Sequence, residues 1–205
     1  MAARRVLHDK FFRLAKEEGY LARSAYKLRE IDDRKRLFRR GDRVLDLGCA
    51  PGAWLQVASE RVGTPEQGGF VGVVVGLDLQ PVAANIAPNV FAIVGDVYKV
   101  EPKDLLGESG ERFDVVLSDM APNTTGHGDD FLSARLCERV LDLCPALLKP
   151  GGRLAMKIFE GAAYPDVLRR AGRMFREAKG FKPKASRDVS REMYIVGHGY
   201  EPALR

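Results

Sequence analysis

The chain has 205 residues, of which 45% are hydrophobic and 30% charged, a balance typical of a folded globular protein rather than a disordered one. No stretch of 18 residues is apolar, and the N-terminus alternates charged with apolar residues, so we expect neither a membrane span nor a secretory signal. Three cysteines at spacings unlike a disulfide framework favour a reducing compartment. We therefore expect the cytoplasm, or the mitochondrial matrix for a trimmed chain.

The net charge of +5 is unevenly distributed along the chain. Residues 1–43 carry 14 Lys and Arg against 7 Asp and Glu, and residues 169–191 carry 9 against 2. The middle of the chain, residues 44–168, carries 9 against 17. Two basic segments around an acidic middle are compatible with solvated helix faces, and equally with a surface that contacts nucleic-acid phosphates.

Apolar spacing predicts helices at the N-terminus, followed by strands that alternate with helices. The predicted helices are 9–18, 24–33, 54–62, 131–148 and 165–177. The predicted strands are 43–47, 71–77, 90–94, 113–118, 153–158, 181–186 and 192–198, the last two forming an antiparallel pair. This pattern predicts an α/β fold whose mostly parallel seven-stranded sheet is covered by helices on both faces.

An aspartate stands at or just after the end of four predicted strands. These residues are Asp46, Asp78, Asp96 and Asp119. A single such residue is usually a helix cap or a turn residue, but ligands of open parallel sheets bind beyond the carboxyl ends of the strands, where these four would meet. We expect Asp78 to accept hydrogen bonds from ribose hydroxyls and Asp96 from an adenine amino group.

The loop after the first strand reads Asp46-Leu-Gly-Cys-Ala-Pro-Gly-Ala-Trp54. Its Gly48 and Gly52 lie four residues apart, which is not the G-x-G-x-x-G spacing of dinucleotide sites. Such a loop lets a ligand approach the backbone but builds no cradle for a diphosphate. An adenosine with a cationic tail and no phosphates fits this acidic edge, and S-adenosylmethionine is such a ligand.

Six motifs between Lys10 and Val196 carry a family resemblance. They are VLDLGCAPGAW (44–54), GLDL (76–79), GDV (95–97), LSDMAPNTTG (117–126), PGGRLAMKIFEG (150–161) and SREMYIV (190–196). Together they resemble the FtsJ (RrmJ) family, the ribose 2′-O-methyltransferases of large-subunit ribosomal RNA. The departures are small, since Cys49 stands where alanine is commoner and the loop at 63–70 is longer than in short bacterial members.

The resemblance implies a Rossmann-like methyltransferase fold, with residues 1–40 as a basic helical extension and residues 41–205 as one catalytic domain. It implies S-adenosylmethionine as cofactor and ribosomal RNA or the large ribosomal subunit as partner, methylated on a ribose 2′-hydroxyl of a uridine during ribosome assembly. Eight residues are expected at the cofactor: Asp46, Gly48, Pro51, Gly52, Trp54, Asp78, Asp96 and Asp119. We expect a monomer. We also expect no metal site, because the three histidines show no ligand spacing.

The family uses a Lys-Asp-Lys-Glu tetrad, whose matching residues are Lys27, Asp119, Lys157 and Glu192. The sequence also singles out Lys157 because it interrupts an apolar strand, although such a lysine often only extends its ammonium to the strand end. The resemblance implies that Lys157 deprotonates the ribose hydroxyl and that Asp119 orients Lys157. Lys27 and Glu192 would position the lysine and the ribose. Which lysine is uncharged stays open.

Two other functions share these features. A transfer-RNA ribose methyltransferase would carry the same tetrad, and a noncatalytic RNA-binding factor of ribosome assembly would carry the same fold. We expect the basic segments to lie on the side of the active site and to bind RNA phosphates there. The residues named for these contacts are Arg4, Arg5, Arg23, Lys182, Lys184 and Arg187.

Overall fold

The computed structural model of the protein describes residues 2–83, 86–123, 128–186 and 190–202, with side chains from Lys10 onward. The helices are α1 (Ala2–Glu17), α2 (Ala25–Lys35), α3 (Ala53–Val62), α4 (Pro102–Leu106), α5 (Asp129–Leu147) and α6 (Tyr164–Met174). The strands are β1 (Arg43–Leu47), β2 (Val73–Asp78), β3 (Val90–Val94), β4 (Phe113–Ser118), β5 (Leu148–Phe159), β6 (Phe175–Phe181) and β7 (Glu192–Tyr200). Within these residues, no helix combines the length and apolar character needed to cross a membrane.

The strands form one sheet in the order β3-β2-β1-β4-β5-β7-β6. Strands β1 to β5 pair in parallel, and β7 runs antiparallel to both of its neighbours, β5 and β6. The strand order changes direction between β1 and β4, which leaves a crevice beyond the carboxyl ends of those two strands. The predicted α/β fold with a mostly parallel seven-stranded sheet is confirmed.

Two predicted boundaries at the C-terminal end are wrong. The last helix ends at Met174 instead of 177, and β6 spans Phe175–Phe181 instead of 181–186. The sequence of β6, FREAKGF, is mostly exposed and lies at the edge of the sheet. It therefore lacks the apolar pattern that separates a strand from the end of an amphipathic helix. The antiparallel pairing of β6 with β7 is as predicted.

Alternation along the strands divides the core between the two faces of the sheet. Leu45 and Met156 pack with α5 on one face, whereas Val44 and Ala155 pack with α2 and α3 on the other. Residues two apart on a strand share a face, so the chemically active side chains follow the second set. These are Asp46, Asp119, Lys157, Glu192 and Tyr194.

A buried ion pair fixes the connection between α2 and β1. Nη2 of Arg153, on β5, lies 2.9 Å from Oδ1 of Asp42, and its Nη1 donates to the carbonyl oxygen of Leu37 at 2.8 Å. The other oxygen of Asp42 accepts a hydrogen bond from the backbone N–H of Arg39 at 2.6 Å. The pair therefore ties the segment between α2 and β1 to the sheet.

Candidate active site

A cavity of about 420 Å³ opens beyond the carboxyl ends of β1, β2, β3 and β4, within the usual range of small-molecule sites, roughly 300–1,000 Å³. Four of the eight residues predicted at the cofactor line it: Gly48, Asp78, Asp96 and Asp119. The cavity lies at the crevice where the strand order changes direction. The fold thus brings the strand-end carboxylates to one place, as the parallel arrangement requires.

The loop after β1 is fastened to the end of β2 by backbone hydrogen bonds. The N–H groups of Gly48 and Cys49 both donate to the carbonyl oxygen of Leu77, at 2.8 and 3.3 Å. Gly48 has a φ of +83°, and a Cβ there would overlap the side chain of Met120, another residue of the cavity wall. Glycine is therefore required at position 48 to hold this turn.

The carboxylates of Asp78 and Asp96 serve their own turns and still face the cavity. Asp78 accepts hydrogen bonds from the N–H groups of Ala50 and Gln80, both at 2.9 Å, and Asp96 accepts one from the N–H of Tyr98 at 2.9 Å. A carboxylate has about four acceptor positions, so each retains capacity for a ligand hydroxyl or amino group. Both roles considered for these residues, turn residue and ligand acceptor, are compatible with this geometry.

Three of the remaining predicted cofactor residues lie outside the cavity wall. Trp54 is only 2% exposed, its Nε1 donates to the carbonyl oxygen of Ser24 at 2.9 Å, and its ring centre lies 5.8 Å from that of Tyr194. Gly52 precedes the first residue of α3 with a φ of +115°, and Pro51 is exposed. The structure thus places Trp54 in the packing between α2 and α3, and Pro51 and Gly52 in the turn that starts α3.

Asp46 is fully buried at the end of β1, and neither of its carboxylate oxygens has a hydrogen-bond partner among the described residues. Burial, and then the neighbouring Asp119 and Asp78, raise the pKa of Asp46 well above its usual value. An unmatched buried acid beside two more carboxylates is complementary to a positively charged ligand. The carboxyl groups at this edge therefore fit a sulfonium compound with an amino-acid tail.

Replacing Asp46 by asparagine is expected to stabilise the ligand-free protein at neutral pH. Because the folded protein raises the pKa of Asp46, the unfolded chain binds fewer protons, and this residue lowers the stability as the pH rises above about 3.9. Asparagine keeps the volume and has no such dependence. Urea unfolding between about pH 4 and 7 should show the advantage of the variant growing with pH. A constant difference between the two proteins would contradict the raised pKa.

The four predicted tetrad residues meet beside the cavity. Nζ of Lys157 donates to the carbonyl oxygen of Asp119 at 2.6 Å and lies 3.1 Å from Oδ1 of the same residue. It also lies 3.9 Å from Oε1 of Glu192, whose Oε2 is 2.8 Å from Nζ of Lys27. Asp119 belongs both to the cavity wall and to the tetrad, since it lines the cavity and contacts Lys157.

The tetrad contains two amines and two carboxyl groups in a partly buried setting. The side chains of Lys27 and Lys157 are 7% and 6% exposed, and those of Asp119 and Glu192 are 17% and 20% exposed. Burial alone would raise the pKa of Glu192, but Lys27, and then Lys157, outweigh it and lower this pKa. Glu192 is therefore ionised at neutral pH and holds Lys27 by a charged hydrogen bond.

Tyr194 belongs to the site, although it was not predicted from the sequence. Its hydroxyl donates to Oδ1 of Asp119 at 2.7 Å, the same oxygen that lies near Lys157. Burial, and then Asp119 and Glu192, raise the pKa of Tyr194 well above its usual value, so the phenol stays protonated and remains a donor. The sequence signal that could have identified Tyr194 is its position two residues after Glu192, which puts both side chains on one face of β7.

Metal ligands and reactive thiols would be two other kinds of site in the described part of the chain. There, no three His, Cys, Asp or Glu side chains are grouped so as to hold a metal ion. Burial is the main cause that raises the pKa of both Cys137 and Cys144 to about 12, and it also raises that of Cys49. These thiols are protonated at neutral pH and are poor nucleophiles.

The strand order, the cavity and the strand-end carboxylates define a Rossmann-like methyltransferase. The model of the FtsJ-like methyltransferase family matches residues 20–200, and the chain belongs to this family.

Similar proteins agree with this assignment. Proteins named ribosomal RNA large subunit methyltransferase E from Desulfatibacillum aliphaticivorans and Syntrophobacter fumaroxidans are both 44% identical to the chain. The alignments cover 92% and 93% of this chain and 89% and 95% of those proteins. A crystal structure described as a ribosomal RNA methyltransferase from Plasmodium falciparum has a TM-score of 0.77 at 27% identity, covering 88% of this chain and 98% of that one.

Proposed function

We propose that the protein transfers a methyl group from S-adenosylmethionine to a ribose 2′-hydroxyl, that of a uridine, in large-subunit ribosomal RNA. The observation that carries the proposal is that Asp119 lines the cavity and also lies 3.1 Å from the amine of Lys157. A ligand in the cavity and a hydroxyl group beside Lys157 would meet at this residue. The names of the similar proteins support ribosomal RNA as the molecule that supplies the hydroxyl.

The cavity residues would hold the cofactor by its polar ends. Asp78 would accept hydrogen bonds from the ribose hydroxyls and Asp96 from the adenine amino group, with the exposed apolar Leu79 beside them. Asp119, in the cavity wall, would balance the positive charge of the cofactor. When bound, S-adenosylmethionine supplies a methyl group activated by its sulfonium.

Lys157 would remove the proton of the attacking hydroxyl. An uncharged amine has two N–H bonds and one lone pair, and the two oxygens of Asp119 within reach of Nζ match the two N–H bonds. The lone pair then points away from Asp119 and is free to accept the hydroxyl proton. Tyr194 fixes Asp119, and Lys27 fixes Glu192, so the amine is held in one orientation. Such positioning is itself a large part of catalysis in reactions between two bound molecules.

The alternatives account for less of the structure. A noncatalytic RNA-binding protein has no need for a buried amine that faces two carboxylates, because burying such charges costs stability. A transfer-RNA methyltransferase would use the same site, and only the RNA that is bound separates it from the proposal. The names of the similar proteins favour ribosomal RNA.

The proposal is tested by mapping ribose methylation after incubation of the protein with S-adenosylmethionine and total RNA from cells that lack it. We expect one new 2′-O-methyl group, on a uridine of large-subunit RNA. A methyl group found only in transfer RNA would support the alternative substrate, and none in any RNA would refute the proposed activity.

The assignment of the cofactor site is tested separately, by measuring S-adenosylmethionine binding. Asp78→Ala should weaken S-adenosylmethionine binding about tenfold or more, because a charged hydrogen-bond acceptor is lost, roughly 1.5–3 kcal/mol. Isothermal calorimetry measures this affinity directly, with Asp166→Ala, an exposed position of α6, as the control. Unchanged affinity in Asp78→Ala would exclude this residue from the cofactor site.

A further inference from the structure

The two basic segments named in the sequence are neighbours in the structure. Glu30 on α2 accepts a hydrogen bond from the backbone N–H of Ala185 at 3.2 Å, and Nζ of Lys35 lies 5.4 Å from the ring centre of Phe181. Helix α2 therefore packs against the residues that follow β6. Of the predicted phosphate contacts, Arg187 and the side chains of Arg4 and Arg5 lie outside the described residues.

An open cleft of about 360 Å³ lies along this contact, between α1, α2 and residues 184–185. Its lining includes Phe11 and Tyr26, whose ring centres are 5.3 Å apart, and Arg29, whose guanidinium lies 5.4 Å from the centre of the Tyr26 ring. Arg34 and Lys184 also line the cleft, and both are exposed. Flat aromatic surface and long cationic side chains thus share one cleft.

The carboxylates in the cleft have bonding partners, whereas two of its cations have none in the described part of the chain. Its two carboxylates are engaged, since Asp33 lies 2.8 Å from Nη2 of Arg61 and Glu30 holds the N–H of Ala185. Arg34 and Lys184 have no ion-pair partner among the described residues. The carboxylate of Glu30 offsets one of these two cations, so the cleft keeps a net positive charge next to aromatic rings. Unpaired RNA nucleotides are bound in this way, with the base stacked on an aromatic ring and the phosphate near Lys or Arg.

The cleft and the active site lie on two sides of the same helix. Tyr26 and Lys27 are consecutive, so their side chains leave α2 about 100° apart. Lys27 reaches Glu192, and Tyr26 lines the cleft. A helix is about 10–12 Å across with its side chains, so an RNA strand that passes around α2 would reach both places within a few nucleotides.

We propose that this cleft, formed by Phe11, Tyr26, Arg34 and Lys184, holds one unpaired nucleotide of the substrate RNA close to the nucleotide that is methylated. The base stacks on Phe11 and Tyr26, and its phosphate lies between Arg34 and Lys184. The proposal rests on the proposed function, because it needs an RNA substrate, and it adds that the RNA must be single-stranded next to the target ribose.

The phosphate contacts are tested with the double variant Arg34→Glu/Lys184→Glu. Its affinity for a large-subunit RNA fragment should fall at least tenfold, and the slope of log affinity against log salt should become shallower by roughly 1.4 for two lost contacts to a single strand. The affinity of this double variant for S-adenosylmethionine should not change, because neither residue lines the cavity beyond the strand ends.

The matched control is Lys103→Glu/Arg173→Glu, which makes the same change in charge at exposed positions of α4 and α6, on the opposite face of the sheet. The control should bind RNA nearly as well as the unmodified protein. Equal losses in the two double variants would show that total charge alone matters, and would overturn the assignment of the cleft.

The stacking contact is tested with Phe11→Leu and RNAs that lack one base at a time. One position near the target should exist where removing the base weakens binding by the unmodified protein about five- to tenfold and leaves Phe11→Leu unaffected. Methylation of the intact RNA is measured in parallel. If the RNA is methylated and no position depends on Phe11, the cleft proposal fails while the proposed function stands.

Discussion

Replacing Lys157 by methionine is expected to lower the rate of methyl transfer by about 100- to 10,000-fold, the usual contribution of a general base. Methionine keeps most of the side-chain volume and loses the amine that faces Asp119 and Glu192. S-adenosylmethionine should still bind, since Lys157 does not line the cavity. Single-turnover rates at saturating RNA, measured across pH, separate this loss from any change in RNA binding.

A second lysine on the same strand provides the control. Lys149, near the other end of β5, has two carboxylate partners, Glu111 at 2.9 Å and Asp114 at 3.0 Å, so Lys149→Met makes the same chemical change away from the cavity. It should leave the rate of methyl transfer within about twofold. If Lys157→Met retained a near-normal single-turnover rate, the amine would not be the base, and Lys27 would be the next residue to test.

The sequence predicted the parallel sheet and its ligand-binding edge because both depend on short-range signals. Runs such as VVVGLD are apolar enough to be buried on both sides, and an aspartate after such a run marks the point where the strand emerges. The order of the strands was not predicted, because pairing between strands distant in the chain leaves no signal in the sequence. The meeting of Asp78 and Asp96 in one cavity is a consequence of this arrangement.

Other features depend on contacts that the sequence does not display. The strand β6 has a polar sequence because it lies at the edge of the sheet, and it resembles the end of a helix. Trp54 stands in a cofactor motif, yet its position in the packing between α2 and α3 depends on Ser24 and Tyr194, which are distant in the chain. The cleft along α2 also combines residues more than 150 positions apart.

Replacing Asp42 by alanine is expected to lower the free energy of unfolding by about 3–5 kcal/mol, the usual cost of removing one partner of a buried ion pair. The side chains of Asp42 and Arg153 are 8% and 7% exposed, so the guanidinium would be left without its counter-ion. Urea unfolding measures the loss. The control is Asp166→Ala, which breaks the exposed pair with Arg169 and should have almost no effect.

The double variant Asp42→Leu/Arg153→Met should recover much of the stability lost in Asp42→Ala, because two apolar side chains leave no unpaired charge. Its methyl-transfer rate should nevertheless stay below that of the unmodified protein. The ion pair and the bond from Arg153 to Leu37 hold the segment that follows α2, and α2 carries Lys27 to Glu192. S-adenosylmethionine affinity should be unchanged, since the cavity is built by the loops at the opposite ends of the strands. If stability and rate recovered together, the pair would serve stability alone and would have no part in positioning Lys27.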